Sequence, residues 1–111
     1  MNRDNDKARI LLLEDDSALR AVMREFLTLM GYDVMEADSE QAFRHLNRQQ
    51  PFDLLLLDLN LPDGDGLSLL ESLARERQAP VFVVSGRCDE ASRIRALEAG
   101  ADDYIAKPFN A

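Results

Sequence analysis

The sequence predicts an α/β protein built on a doubly wound parallel sheet. Two observations carry that expectation. Apolar runs of strand length alternate with segments whose apolar residues recur at helical spacing, in the order βαβαβαβαβ. The central runs, LLLL at 54–57 and VFVV at 81–84, are apolar at every position, as strands covered on both faces should be. Alternating strands and helices imply a parallel sheet. Right-handed crossovers then restrict the topology to a doubly wound one.

Residues 1–7 are polar and read as a flexible tail, so the domain spans 8–111. The first strand is 8–13 (ARILLL). Leu19, Val22, Met23, Phe26, Leu27 and Met30 then mark one face of a helix that Gly31 stops. Residues 32–36 form a short second strand. Asp38 or Ser39 caps a second helix that buries Ala42, Phe43 and Leu46. The third strand is 53–57. After a loop rich in turn residues, Leu67, Leu69, Leu70, Leu73 and Ala74 mark a third helix. The fourth strand is 81–84. The fourth helix is 89–99, with Ile94 and Leu97 inward and Gly100 as its stop. Residues 103–105 form a short fifth strand, and Phe109 packs near it. A doubly wound domain covers that edge with one more helix, so the expectation is a domain truncated after its fifth strand.

The 111 residues suggest one domain. Apolar residues make up 46% and charged residues 31%, the balance of a globular chain. The single cysteine, Cys88, excludes an internal disulfide and is assigned no role. The segment MNRDNDKAR lacks the apolar core of a secretory signal, and no apolar run is long enough for a bilayer. A cytoplasmic protein without a membrane partner is expected. The net charge of −8 argues against direct nucleic-acid binding, which needs a basic face.

The stretch FDLLLLDLNLPDGDG at 52–66 runs four leucines straight into a carboxylate. In open α/β sheets, ligands bind outside the carboxyl ends of the strands. The residues at those ends are Glu14, Asp15 and Asp16, then Asp58, then Ser85 and Gly86, then Lys107 and Pro108. If the first and third strands are neighbours, Glu14, Asp15 and Asp58 converge. Three close carboxylates raise one another's pKa values unless a cation compensates, and Lys107 supplies one charge only. Oxygen ligands select a hard divalent ion, Mg²⁺, with Mn²⁺ as a substitute. A metal, a lysine and the Ser85 hydroxyl together suit the three equatorial oxygens of a phosphoryl group in transfer. Asp58 is then the in-line nucleophile and forms an aspartyl phosphate. Asp16 reads as a helix cap, Asp63 and Asp65 as turn residues, and His45 as a surface residue.

Four segments in order resemble the receiver domain of two-component response regulators: ILLLEDD (10–16), DLLLLDLNLPDGDG (53–66), VVSG (83–86) and ALEAGADDYIAKPF (96–109). The resemblance covers the chain from Arg9 to Phe109. It implies a flavodoxin-like sheet of order 2-1-3-4-5 and a phosphoacceptor switch rather than a turnover enzyme. By that resemblance, Asp58 takes a phosphoryl group from a phosphohistidine of a sensor histidine kinase. Glu14, Asp15, Asp58 and the backbone carbonyl of Asn60 hold Mg²⁺. Ser85 and Lys107 contact the phosphoryl group, and the Lys107–Pro108 bond is cis. Tyr104 is the aromatic switch that turns inward when Ser85 moves.

The stretch RIRALEAGADDYIAKPF (93–109) is most similar to the OmpR/PhoB-type winged-helix branch of transcription factors. There the fourth helix, fifth strand and fifth helix form a symmetric dimer face. Arg93, Asp102 and Asp103 match charges used on that face, and DNA is reached only through an effector domain. Two other functions compete. A Mg²⁺-dependent phosphohydrolase working through an aspartyl phosphate would need a second acid at position 60, which is Asn60. A degenerate receiver serving only as a binding surface would lack the acceptor, an acid or the lysine, and all are present here.

Overall fold

The structure is a computed structural model that describes residues 7–76, 79–86 and 89–107. Five parallel strands form one sheet: β1 (Arg9–Leu13), β2 (Asp33–Ala37), β3 (Leu54–Asp58), β4 (Val81–Ser85) and β5 (Asp103–Ala106). Their order is β2-β1-β3-β4-β5. Four helices alternate with them: α1 (Ser17–Leu29), α2 (Glu40–Gln49), α3 (Gly66–Glu76) and α4 (Glu90–Ala99). The doubly wound α/β sheet is therefore observed, in the expected flavodoxin-like order.

Register puts successive side chains on opposite faces. Leu11, Leu13, Leu55, Leu57, Val81 and Val83 point to one side, where Phe43 of α2, Leu69, Leu70 and Leu73 of α3, and Ala96 of α4 meet them. Ile10, Leu12, Leu56 and Val84 point to the other, against Met23 and Leu27 of α1. This two-sided cover is why β3 reads as unbroken leucine. Phe43, with no exposed surface, also meets Phe52 edge to face at 6.1 Å between ring centres.

Helix boundaries follow local chemistry. Asp16 caps α1, its Oδ1 accepting from the Ala18 and Leu19 amides at 3.0 and 3.1 Å. Of the two candidates for α2, Ser39 is the cap, its hydroxyl accepting from Ala42 N–H at 3.1 Å. Asp89 caps α4 through Ser92 N–H rather than forming its first turn. Gly100 ends α4 at φ +124°, a conformation that other residues rarely adopt.

Three expectations need correction. In α4 the inward residue is Ala96, fully buried, whereas Ile94 and Leu97 are 44% and 37% exposed. A small residue suits a helix packed close to α3: a Cβ on Gly100 would strike the Cβ of Ala74. In α1 the apolar residues do not form one buried face. Met23 and Leu27 reach the sheet, while Val22, Phe26 and Met30 are about 60% exposed, on a side that no described element covers. The loop after β3 is not irregular throughout, since Asn60–Leu61 pairs antiparallel with Gly64–Asp65 as a two-residue hairpin. Strand ends also move by one residue. Observed β2 is Asp33–Ala37, and β3 includes Asp58 itself. The polar tail before Lys7, Cys88, the bond to Pro108 and the packing of Phe109 lie outside the described residues.

Candidate functional site: an acidic cluster at the carboxyl edge of the sheet

Each functional side chain sits where a buried strand leaves the sheet. Leu13 pairs with Ala37 and with Leu57, so β1 is held from both sides up to its end. The next residue, Glu14, stays attached through its N–H to Ala37 O at 3.0 Å. Behind it, Arg20 donates from Nη1 to the Glu14 carbonyl at 2.8 Å and from Nε to Glu36 at 3.2 Å. Sequence reasoning missed this brace, since an arginine on a helix carries no pattern that distinguishes it from a solvated one. On β3, Asp58 is paired with Val84. Ser85 is paired with Ala106, and Lys107 N–H then donates to Ser85 O at 2.7 Å, which fixes where the lysine leaves β5.

Glu14, Asp15 and Asp58 converge as expected. One carboxylate oxygen from each lies within 4.8 Å of the others. Glu14 and Asp58 are buried and Asp15 is exposed. Lys107 Nζ lies 2.8 Å from Glu14 Oε1 and 3.6 Å from Asp58 Oδ2. Ser85 is fully buried at the same edge. Asn60 is exposed, and its N–H donates to Asp58 Oδ1 at 3.1 Å.

Burial and crowding of charge set the electrostatics of this cluster. Burial pushes the Asp58 carboxyl up from 3.8 to about 7; the Asn60 amide pulls it down, while adjacent Glu14 pushes it further up and Lys107 opposes it. Burial alone would lower the Lys107 ammonium, but Glu14 and Asp58 outweigh that and hold it above its ordinary value. Glu14 Oε1 is buried, with the Lys107 ammonium 2.8 Å away as its partner and counter-charge. Three carboxylates with oxygens within 4.8 Å of one another and one ammonium among them form a set of hard ligands with excess negative charge, which fits a divalent cation beside the Asp15 edge of a shallow opening. That opening is lined by Asp15, Asn60, Leu61 and Asp65, among others.

The model of the response regulator receiver domain matches residues 10–111. This chain belongs to the response regulator receiver family. The receiver domain is 40% identical over 100 residues to the TorCAD operon transcriptional regulatory protein TorR of Escherichia coli O157:H7, covering 90% of this chain and 44% of that protein. It is 42% identical over 101 residues to the KDP operon transcriptional regulatory protein KdpE of Escherichia coli K12, covering 90% and 44%. The receiver domain thus spans less than half the length of these curated relatives. Among solved structures, the response regulator DrrB of Thermotoga maritima, an OmpR/PhoB homologue, superposes with a TM-score of 0.83 at 30% identity, over 94% of this chain and 47% of that one. A Burkholderia pseudomallei response regulator, solved with a phosphorylated aspartic acid and a calcium ion, superposes with a TM-score of 0.84 at 28% identity, over 94% and 62%. The resemblance read from the four motifs is therefore correct, and receiver domains are signalling switches.

The remaining candidates have definite places. Tyr104 is half-buried on β5 and packs against the core beneath α3 and α4. Arg93 is exposed and 3.6 Å from Glu90. Asp103 accepts from Tyr104 N–H at 2.8 Å. Asp102 accepts from Val81 N–H at 2.8 Å, so it closes the start of β4 in addition to lying near the α4–β5 surface. His45 is exposed on α2. Asp65 is a local turn residue, accepting from Leu67 N–H and Ser68 Oγ. Asp63 is not local: its carboxylate accepts from Glu40 and Gln41 N–H on α2, which holds that carboxyl below its usual range. No helix among the described residues is long and apolar enough to cross a membrane.

Proposed function

We propose that residues 8–111 form a phosphoacceptor switch in which Asp58 takes a phosphoryl group from a phosphohistidine of a sensor histidine kinase. The carrying observation is the Asp58 carboxylate, held on a rigid strand with two other carboxylates within 4.8 Å and an ammonium at 3.6 Å. An oxygen of Asp58 attacks phosphorus, the phosphorus–nitrogen bond breaks, and its electron pair stays on the histidine nitrogen. Glu14, Asp15, Asp58 and the Asn60 carbonyl would hold Mg²⁺, or Mn²⁺ in its place, which would supply positive charge for the phosphoryl oxygens. Lys107 neutralises a second oxygen, and the Ser85 hydroxyl meets the third. Asp58 must be ionised to attack, and in the metal-free site its carboxyl holds its proton to about pH 7. A cation held there would favour the ionised Asp58 carboxylate.

The switch reaches the surface through neighbours of the site. Ser85 adjoins Ala106 across the β4–β5 pairing, and Tyr104 lies two residues back on β5. A shift of Ser85 toward the phosphoryl group opens room for Tyr104 to turn inward, which changes the α4–β5 surface. Exposed Ile94 and Leu97, with Arg93 on the same helix and Asp103 on β5, support a homodimer face across α4 and β5. DNA would be reached only through an effector domain, and a cytoplasmic location suits this role. Asn60 in place of a second acid speaks against a phosphohydrolase, and the complete set of Asp58, Glu14, Asp15 and Lys107 speaks against a degenerate receiver.

The test is a titration with Mg²⁺ and then beryllofluoride, followed by NMR on the parent and on Asp58→Asn. Shifts at Asp58, Ser85, Tyr104 and Lys107 in the parent alone are expected. Absence of Mg²⁺ binding would mean that the acidic cluster is structural. A second variant separates chemistry from signalling. Lys107→Ala slows uptake of the phosphoryl group by about 100-fold without abolishing it, the scale for losing one charge-stabilising donor. In that variant the Tyr104 signals stay in place after phosphorylation. A normal Tyr104 response would remove Lys107 from the coupling.

A further inference from the structure

Asp63 sits at the tip of the hairpin that follows the acceptor, in a PDGDG run whose composition alone suggests an ordinary turn. Its bonds say otherwise. One oxygen accepts from Glu40 N–H at 2.8 Å and the other from Gln41 N–H at 3.1 Å, more than twenty residues away. These are two of the amides that the start of a helix leaves without intrahelical partners. A third, that of Ala42, is taken by the helix's own cap, Ser39. Capping of α2 is thus shared between a local residue and one from the loop after β3.

The contact is close as well as polar. A Cβ on Gly64 would strike the Glu40 carboxylate, so the hairpin lies directly against the first turn of α2. At the base of the same hairpin, Asn60 pairs with Asp65 and donates its N–H to Asp58 Oδ1. A continuous line of short contacts therefore runs from α2 through Asp63 and the hairpin to Asn60 and the acceptor. Asp63 itself is exposed and stands outside the converging carboxylates.

We propose that Asp63 is a positioning residue: it straps the hairpin to α2 and so fixes the Asn60 backbone carbonyl for the divalent cation. The inference rests on the metal site described under Proposed function. Groups that orient a ligand from outside change metal affinity by about 10- to 100-fold when removed. A strap acting through a hairpin belongs at the lower end of that range.

The experiment is a Mg²⁺ titration followed by NMR on the parent, Asp63→Ala and Asp63→Asn, with amide exchange at Glu40 and Gln41 and urea unfolding of each. Asp63→Ala should weaken Mg²⁺ by about 10-fold and speed exchange at both amides. Asp63→Asn keeps one of the two acceptor oxygens, turns an NH₂ toward the other amide and removes the charge, so it should fall between the parent and Asp63→Ala in both affinity and amide exchange. If Asp63→Ala binds Mg²⁺ as the parent does and loses only stability, Asp63 is a helix cap and the inference fails. If Asp63→Asn weakens Mg²⁺ as far as Asp63→Ala while the Glu40 and Gln41 amides stay as protected as in the parent, loss of charge explains the effect and the strap is again overturned. Failure of the parent itself to bind Mg²⁺ overturns the site reading first, and the strap with it.

Discussion

Asp58→Asn should give a folded protein that takes up no phosphoryl group and, without metal, outlasts the parent in urea at neutral pH. Loss of uptake follows because the amide has no nucleophilic oxygen of comparable strength. The gain in stability follows from linkage. The Asp58 carboxyl holds its proton to about pH 7 in the folded chain, against an ordinary 3.8. Between those values the folded state binds more protons than the unfolded state, so stability falls as pH rises from about 4 to about 7 and is flat above. At about 1.4 kcal/mol per pH unit, the loss across that window is on the order of 4 kcal/mol. Asparagine has no charge to bury, so its variant should lack this slope.

Urea midpoints at pH 5 and pH 7.5, with and without Mg²⁺, check the expectation. The parent should gain stability from Mg²⁺ through binding to the folded state alone, and Asp58→Asn should gain much less. A parent whose metal-free stability rises between pH 5 and 7.5 would contradict the burial argument. Uptake of phosphoryl by Asp58→Asn would remove the residue from the chemistry altogether.

Gly66→Ala should destabilise the domain by about 2–3 kcal/mol, the cost of forcing atoms into a filled space. The sign is not obvious, because alanine within a helix is ordinarily better than glycine by about 0.5–1 kcal/mol. Gly66 opens α3 and is buried, and nothing about its own backbone demands glycine. Its neighbour decides the matter. A Cβ there would lie 2.5 Å from Leu59 Cα and 2.6 Å from the Leu59 carbonyl oxygen. Backbone at that range cannot rotate away as a side chain does. Gly66 N–H also donates to that carbonyl at 3.3 Å, so displacement costs a hydrogen bond. Leu59 joins Asp58 to Asn60, and the shift is therefore passed into the acidic cluster. A lower urea midpoint at unchanged slope, with weaker Mg²⁺ binding, is the expected pair of results. An unchanged or raised midpoint would show that the loop yields freely.

Much of the fold and site was legible in the sequence because burial writes a strong pattern. Strands covered on both sides must be apolar throughout, so Leu54–Leu57 and Val81–Val84 stand out. Once those ends are known, Glu14, Asp15, Asp58, Ser85 and Lys107 fall at one edge. What stayed hidden depends on partners remote in sequence. Ala96 is buried in place of Ile94 and Leu97 because α3 comes close, a fact of packing that helical spacing does not encode. Val22 and Phe26 share a helix stripe with Met23 and Leu27, yet only the latter pair meets the sheet. Asp63 and Asp65 look alike in PDGDG; one bonds across to α2 and the other within its own turn. Asp102 reads as a surface charge but also serves the first amide of β4.

The reactive edge draws Glu14 from near the start of the described chain, Asp58 from its middle and Lys107 from its end. Each is delivered by a different strand, and Asp58 lies between the other two only because β3 sits at the centre of the sheet. Parallel pairings of this kind close long loops and form late compared with local helices. A nascent or partly folded chain therefore lacks the assembled cluster of Glu14, Asp58 and Lys107. The convergence of these charges is thus a property of the completed sheet alone, with no local segment that carries it.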